Sequence, residues 1–210
     1  MSTTQDSILA LACDRGLVRP LDLDVRGLPR VPLTRLVRQG RLARAGRGLY
    51  ALPDRPVSEH SALAEVARRH PGAVVCLLSA LRFHELTTQS PFDVWLAIPT
   101  KARAPRLGYP PLRIVRFSEA GLTEGVEEHK IDGVPVRITG IARTVADRFK
   151  SRNKIGLDVA LDALKAALKE ALQEQGQGGR GRRVSIVELW HHALLDRVAN
   201  VMCPYLEALA

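Results

Sequence analysis

Between Arg26 and Arg47 the chain carries seven arginines, Arg26, Arg30, Arg35, Arg38, Arg41, Arg44 and Arg47, and no acidic residue. A guanidinium is a planar fork of donors that fits phosphate oxygens and guanine edges two bonds at a time. A GC-rich coding sequence would explain Arg in place of Lys, but it does not explain the missing acids. The chemistry that fits this run is recognition of a polyanion. The whole chain agrees, with 31 Lys and Arg against 22 Asp and Glu, a net charge of +9 and a pI near 10.1. Such a balance favours nucleic acid or an acidic membrane surface. The excess is uneven: residues 1–55 carry +5, 56–150 carry +3 and 151–210 carry +1.

A membrane partner is disfavoured, because no stretch approaches the roughly 20 apolar residues of a spanning helix. Residues 1–6 are polar and acidic rather than basic and then apolar, so no secretory signal is expected and the location implied is cytoplasmic. Cys13, Cys76 and Cys203 are far apart, and no CxxC spacing exists. Buried free thiols, with no metal, are the expectation.

The elements that must position the arginines follow from periodicity and punctuation. Residues 5–15 read as a helix with Ile8, Leu11 and Ala12 on one face and Gly16 as its stop. A short segment follows at 20–26, then a turn at Gly27-Leu28-Pro29. Residues 32–39 read as an amphipathic helix: Leu33, Leu36 and Val37 cluster within about 100° of arc, opposite Thr34, Arg35 and Arg38. Gly40 ends it. Two short extended runs, 41–45 and 49–52, flank a glycine-bearing turn, which signals a hairpin. Helix, short helix, amphipathic helix and basic hairpin is the layout of a winged helix-turn-helix. In that motif the third helix enters the major groove and the wing follows the backbone. The candidate DNA-binding residues are Arg30, Thr34, Arg35, Arg38, Arg41, Arg44 and Arg47.

Residues 53–57 contain two prolines and read as a linker between a DNA-binding domain, 1–55, and a larger mixed α/β domain, 56–210. In the second part, helices are expected at 58–70 and 79–85 and strands at 73–77, 92–98 and 112–117. A hairpin is expected about Asp132-Gly133, and helices at 141–150, 156–173 and 185–199. The last begins with a capping box, Ser185 and Glu188, and a hydrophobic staple, Val184 and Leu189. The Gly, Gln and Arg stretch at 175–183 reads as a solvated linker, with phosphate contacts by Arg180, Arg182 and Arg183 as the rival reading. The fold class is α+β, with C-terminal helices.

Catalytic signatures are weak. His84-Glu85 is not a zinc-protease motif, because Thr88 stands where the second His belongs. Adjacent His191 and His192 on a helix point about 100° apart and cannot easily share a metal. His84 is expected to cap or pack. No phosphate-binding glycine loop, dinucleotide fingerprint or nucleophile elbow is present. A PD-(D/E)xK nuclease would need an acid two residues before Lys101, but Pro99 is there, although Asp93 precedes the same strand. Arg143 and Asp147, four apart, suit a local ion pair. The reading is a non-enzyme without cofactor.

The segment LTRLVRQGRLARAGRGLY, residues 33–50, resembles the winged helix of AbiEi-type antitoxins. So do Leu78-Ser79-Ala80-Leu81 with His84-Glu85-Leu86-Thr87, Pro91 and the strand 94–98, and so does Ile141-Ala142-Arg143-Thr144-Val145-Ala146-Asp147. The likeness covers about residues 5–160 and, more loosely, Tyr205-Leu206. It implies a transcriptional autorepressor on operator DNA that is also the antitoxin of a type IV toxin–antitoxin pair, opposing a nucleotidyltransferase-like toxin in a way that does not require a tight complex. Two other expectations stand beside it: a winged-helix repressor whose second domain senses a ligand or dimerises, and a nuclease-like enzyme.

Overall fold

The computed structural model describes residues 3–173 and 184–209. The stretch 175–183 lies outside the described residues. Two compact units are present: Met1–Pro71 with His129–Val136, and Gly72–Glu128 with Arg137–Ala210. Both helices and sheets are used, so the architecture is α+β.

In the first unit, α1 (Thr4–Arg15) starts with a capping box in which Thr3 and Asp6 satisfy each other's backbone N–H groups. Next come α2 (Pro20–Asp24) and α3 (Val31–Arg38). Strands β1 (Ala43–Gly46) and β2 (Leu49–Ala51) form the antiparallel wing, with Arg44 opposite Tyr50. Val18 pairs with Tyr50 through two backbone hydrogen bonds, 2.8 and 2.9 Å, and so adds a third, one-residue strand. Ile8, Leu11, Ala12, Val18, Leu23, Leu33, Leu36 and Leu42 form the core of this unit.

Helix α3 stops as its sequence demands. Gly40 has φ +70°. The Arg41 N–H reaches the Leu36 carbonyl at 2.9 Å and the Gly40 N–H reaches that of Val37 at 3.1 Å. That is a Schellman closure, which needs a left-handed residue and favours glycine.

The proline-bearing stretch 53–57 is no free linker. Arg55, its side chain 12% exposed, reaches Asp132 Oδ2 at 3.7 Å. The Ser58 N–H donates to Asp132 Oδ1 at 3.2 Å. Both contacts are made to the Asp132-Gly133 turn expected from sequence, where φ is +49° and +80°. Helix α4 (Ser61–Arg69) completes the unit, so compactness extends to Pro71 rather than ending at Arg55.

The second unit is built on a five-stranded sheet in the order β5-β4-β3-β7-β6. Its strands are β3 (Val74–Val75), β4 (Val94–Pro99), β5 (Leu112–Phe117), β6 (Val126–Ile131) and β7 (Val134–Thr139). The ends of β6 and β7 nearest the Asp132 turn belong to the first unit. Strand β3 is shorter than expected because Leu77 turns to a positive φ of 50° and starts α5 (Leu77–Phe83). Helices α6 (Ile141–Lys150), α7 (Arg152–Ile155), α8 (Leu157–Gln173), α9 (Ile186–Leu195) and α10 (Ala199–Leu209) follow. Ile141, Val145, Phe149, Ala160, Leu164, Leu189 and Met202 are among the residues that pack into its main core.

The helix expected at 185–199 is two helices. Arg197 adopts φ +58°, and the Val198 N–H closes on the Ala193 carbonyl at 2.9 Å. This is a Schellman-type stop without glycine, so no sequence signal marked it. The Ser185–Glu188 capping box is present, and Val184 and Leu189 are both buried. The thiols differ from expectation: Cys76 alone is buried, Cys203 is half-buried and Cys13 is exposed, because Cys13 falls on the outer face of α1, away from Ile8, Leu11 and Ala12.

Gly16, at φ +65°, closes α1 where a Cβ would lie 1.8 Å from the Asp132 carbonyl oxygen. Gly16→Ala is expected to destabilise by about 2 kcal/mol or more, from a left-handed backbone and a collision with main chain. Urea denaturation checks this; a change under about 0.5 kcal/mol would contradict it.

Candidate nucleic-acid interface

The rotation of α3 is set by two leucines. Leu33 and Leu36 are 2% and 0% exposed. Residues three and four apart share a helix face, so Thr34, Arg35 and Arg38 must turn outward, and all three are exposed. Arg35 and Arg38 have no ion-pair or hydrogen-bond partner among the described residues. Their guanidinia are available as donors.

The other sequence candidates are exposed as well, but several are engaged. Arg30, at the N-cap of α3, forms a two-pronged ion pair with Asp24, including an Nε–Oδ1 bond of 2.7 Å. The Arg30 guanidinium in turn holds the Asp24 carboxyl below the usual carboxylate range. Arg41 lies 3.8 Å from Asp6. Arg44, on β1, stands over the Tyr50 ring at 6.0 Å. Arg47 projects from the turn between β1 and β2, and its carbonyl accepts from Arg69 Nη2 at 3.3 Å. The structure therefore brings Thr34, Arg35 and Arg38 onto one helix face and sets Arg44 and Arg47 on the wing.

What sequence reading missed is the brace beneath this surface. Asp22 is 6% exposed. Its Oδ2 accepts from the Arg19 N–H at 2.7 Å and from Arg68 Nη2 at 2.5 Å. Arg19 and Arg15 lie 3.4 and 3.7 Å from Oδ1. Arg68 Nε also donates to the Leu17 carbonyl at 2.8 Å. Burial alone would raise the Asp22 carboxyl, but the Arg19 N–H and the Arg68 charge outweigh it, so the net direction is down. Arg68 lies 46 residues away on α4, and nothing local in the sequence announces the pair.

A helix-turn-helix core carrying a two-stranded wing, with an arginine-bearing third helix turned outward, defines the winged-helix class of DNA-binding domain. Residues 6–53 match the family described as transcriptional regulator, AbiEi antitoxin. The resemblance read from residues 33–50 thus holds from α1 through β2, and the match stops at residue 53. No curated protein matches the chain significantly.

The second unit holds a separate polar feature, a pocket of about 650 Å³ lined by Arg116, Phe117, Glu124, Arg143, Asp147, Lys150 and Asp196 among others. Arg143 Nε donates to Asp147 Oδ2 at 3.1 Å, the expected i,i+4 pair, but a buried one. Lys150 Nζ bonds Asp196 Oδ1 at 2.7 Å. Burial pushes the Asp147 carboxyl up to about 7; Arg143 opposes the shift, and the hydrogen-bonded Asp196 adds to it. His84 caps α5 and bonds the Thr139 carbonyl at 2.8 Å. Asp93 is paired with Arg113 at 3.2 Å. Among the described residues, no group of three His, Cys, Asp or Glu is placed to hold a metal ion, and no helix is long and apolar enough to cross a membrane.

Two outcomes follow. Asp22→Asn removes one partner of a buried charge cluster and is expected to cost about 3 kcal/mol; denaturant unfolding measures it, and a loss under about 1 kcal/mol contradicts the brace. For Asp147 the native state binds its proton more tightly than the unfolded chain. Its contribution is therefore fully present below about pH 4 and is lost as pH rises toward about 7. Asp147→Asn should flatten the fall in stability across that window, as read by melting temperature against pH. An unchanged profile would count against a raised Asp147.

Proposed function

We propose that this protein is a DNA-binding transcriptional autorepressor and the antitoxin of a type IV pair, opposing a nucleotidyltransferase-like toxin. The observation that carries the DNA-binding part is the outward face of α3. Thr34, Arg35 and Arg38 stand exposed on a helix whose rotation Leu33 and Leu36 lock, inside the segment that matches the antitoxin-regulator family. In this reading α3 enters the major groove and reads base edges, while Arg41, Arg44 and Arg47 meet phosphates along the wing. Arg30 steadies the entry to α3 through Asp24 and is spare for phosphate only when that pair opens. Operator binding belongs to residues 1–55, braced by α4 of the same compact unit, and the antitoxin role to the rest of residues 56–210. The family resemblance supports the toxin half, and the +5 charge of the first 55 residues supports the DNA half.

A second reading has the pocket in the second unit behind it: a repressor whose larger part senses a small polar ligand. Co-expression with a nucleotidyltransferase-like toxin separates the two, because an antitoxin restores growth and a ligand-gated repressor does not.

The arginines should divide by role. Arg35→Ala and Arg38→Ala should each cost about 1–3 kcal/mol of discrimination between the protein's own upstream DNA and a scrambled duplex. Arg44→Ala and Arg47→Ala should weaken both duplexes alike and lower the log–log salt slope by about 0.9 each. Fluorescence anisotropy over a salt series measures both quantities. Wild-type discrimination in both helix variants would remove α3 from base reading.

A further inference from the structure

We infer that Val31 reads the C5-methyl group of a thymine in the operator, beside guanines read by Arg35 and Arg38; the inference rests on the DNA-binding reading above. Val31 is the first residue of α3 and is 82% exposed. Positions 31, 34, 35 and 38 lie three, four and seven apart, which places all four on one helix face. Leu33 and Leu36, buried at 2% and 0%, fix that face outward. An isopropyl group thus shares a solvent-facing surface with a hydroxyl and two guanidinia that have no partner among the described residues.

The side chain is held ready. Pro32 follows it in the first turn, where its fixed φ stiffens the start of the helix. Valine is β-branched, so its methyl groups lose little rotamer freedom on contact. The long side chain before it, Arg30, is drawn back to Asp24. That leaves Val31 as the leading group at the N-terminal end of the reading face.

Recognition helices contact base edges with their N-terminal residues. The apolar group that a base pair displays in the major groove is the thymine methyl. Leu21 and Val25 are also exposed, at 56% and 81%, but they sit on or at the end of α2, the helix that crosses the backbone in this class. A rise of about 1.5 Å per residue puts Arg35 about 6 Å beyond Val31 and Arg38 about 10 Å beyond it. With base pairs about 3.4 Å apart, those are roughly two and three steps. The bound site therefore carries a thymine followed by guanines on that spacing, on either strand.

The test uses purified full-length protein and a pool of randomised duplexes, from which bound sequences are enriched. Each thymine of the enriched site is then replaced singly by uracil, which removes the methyl group and keeps the base pair. Wild type should lose about fourfold in affinity at one position. Val31→Ala should bind the thymine duplex about as weakly as wild type binds the uracil one, and it should be indifferent to uracil there. Thr34→Ser should keep the sensitivity. Equal melting temperatures show that the variants are folded, as expected for so exposed a side chain. Uracil without effect at every position, Val31→Ala retaining full sensitivity, or Thr34→Ser abolishing it would each overturn the assignment of Val31 alone. Failure to enrich any duplex would overturn the DNA-binding reading and this inference with it.

Discussion

One buried carboxylate organises the first unit. Asp22 caps the start of α2 through the Arg19 N–H and accepts Arg68 from α4. It also sits within ion-pair reach of Arg15 at the end of α1. Three elements therefore meet on one negative charge. A carboxylate out of water is costly unless its oxygens are bonded, and here the bonding is shared so that no partner leaves without stranding another. The turn between α1 and α2 is held as a result, because Arg68 also takes the Leu17 carbonyl. Helix α3 packs against α1 in the core of this unit, and α1 runs directly into that turn, so the Asp22 pairs help to hold the frame that carries the arginines of α3.

Above the brace, charge and burial sort the arginines into different kinds. Arg68 works inward, where its guanidinium satisfies protein groups. Arg30 and Arg41 are exposed but answer acids outside the acid-free run, Asp24 two residues before it and Asp6 on α1. Exposed pairs of this kind are worth little to stability and are screened by salt, so a phosphate can compete for them. Arg35 and Arg38 have no partner among the described residues. This gradation, from buried partner to unpaired donor, is what a basic composition becomes once it is folded.

The second unit keeps its charges closer. Asp147 and Asp196 face one another on α6 and just beyond α9, with Arg143 and Lys150 as counter-charges. Helix α6 also buries Arg148, which is 0% exposed and whose guanidinium nitrogens have no hydrogen-bond partner among the described residues. Burial lowers its pKa to about 10, with Asp158 opposing, so the group stays charged at neutral pH. A helix so rich in buried ions contributes polar strain to its core as well as packing.

Local patterns in the sequence determined the first 52 residues almost completely. The three-and-four spacing of Leu33 and Leu36 set the inner face of α3, Gly40 set its end, and the glycines after Arg44 set the wing. Each rests on a periodicity or a backbone preference that acts within a few residues, and so is written in the sequence. The exposed face of α3, and with it Thr34, Arg35 and Arg38, followed directly. Tertiary structure alone decided what depends on distant residues: Arg68 reaching Asp22, Arg55 reaching the Asp132 turn, and Asp6 and Asp24 returning to engage Arg41 and Arg30. It also decided the break at Arg197, where a non-glycine residue takes a left-handed backbone that local preference disfavours and the surrounding fold imposes. The physical reason is the same throughout. Short-range sterics fix elements, while ion pairs and burial depend on which remote side chain the fold delivers.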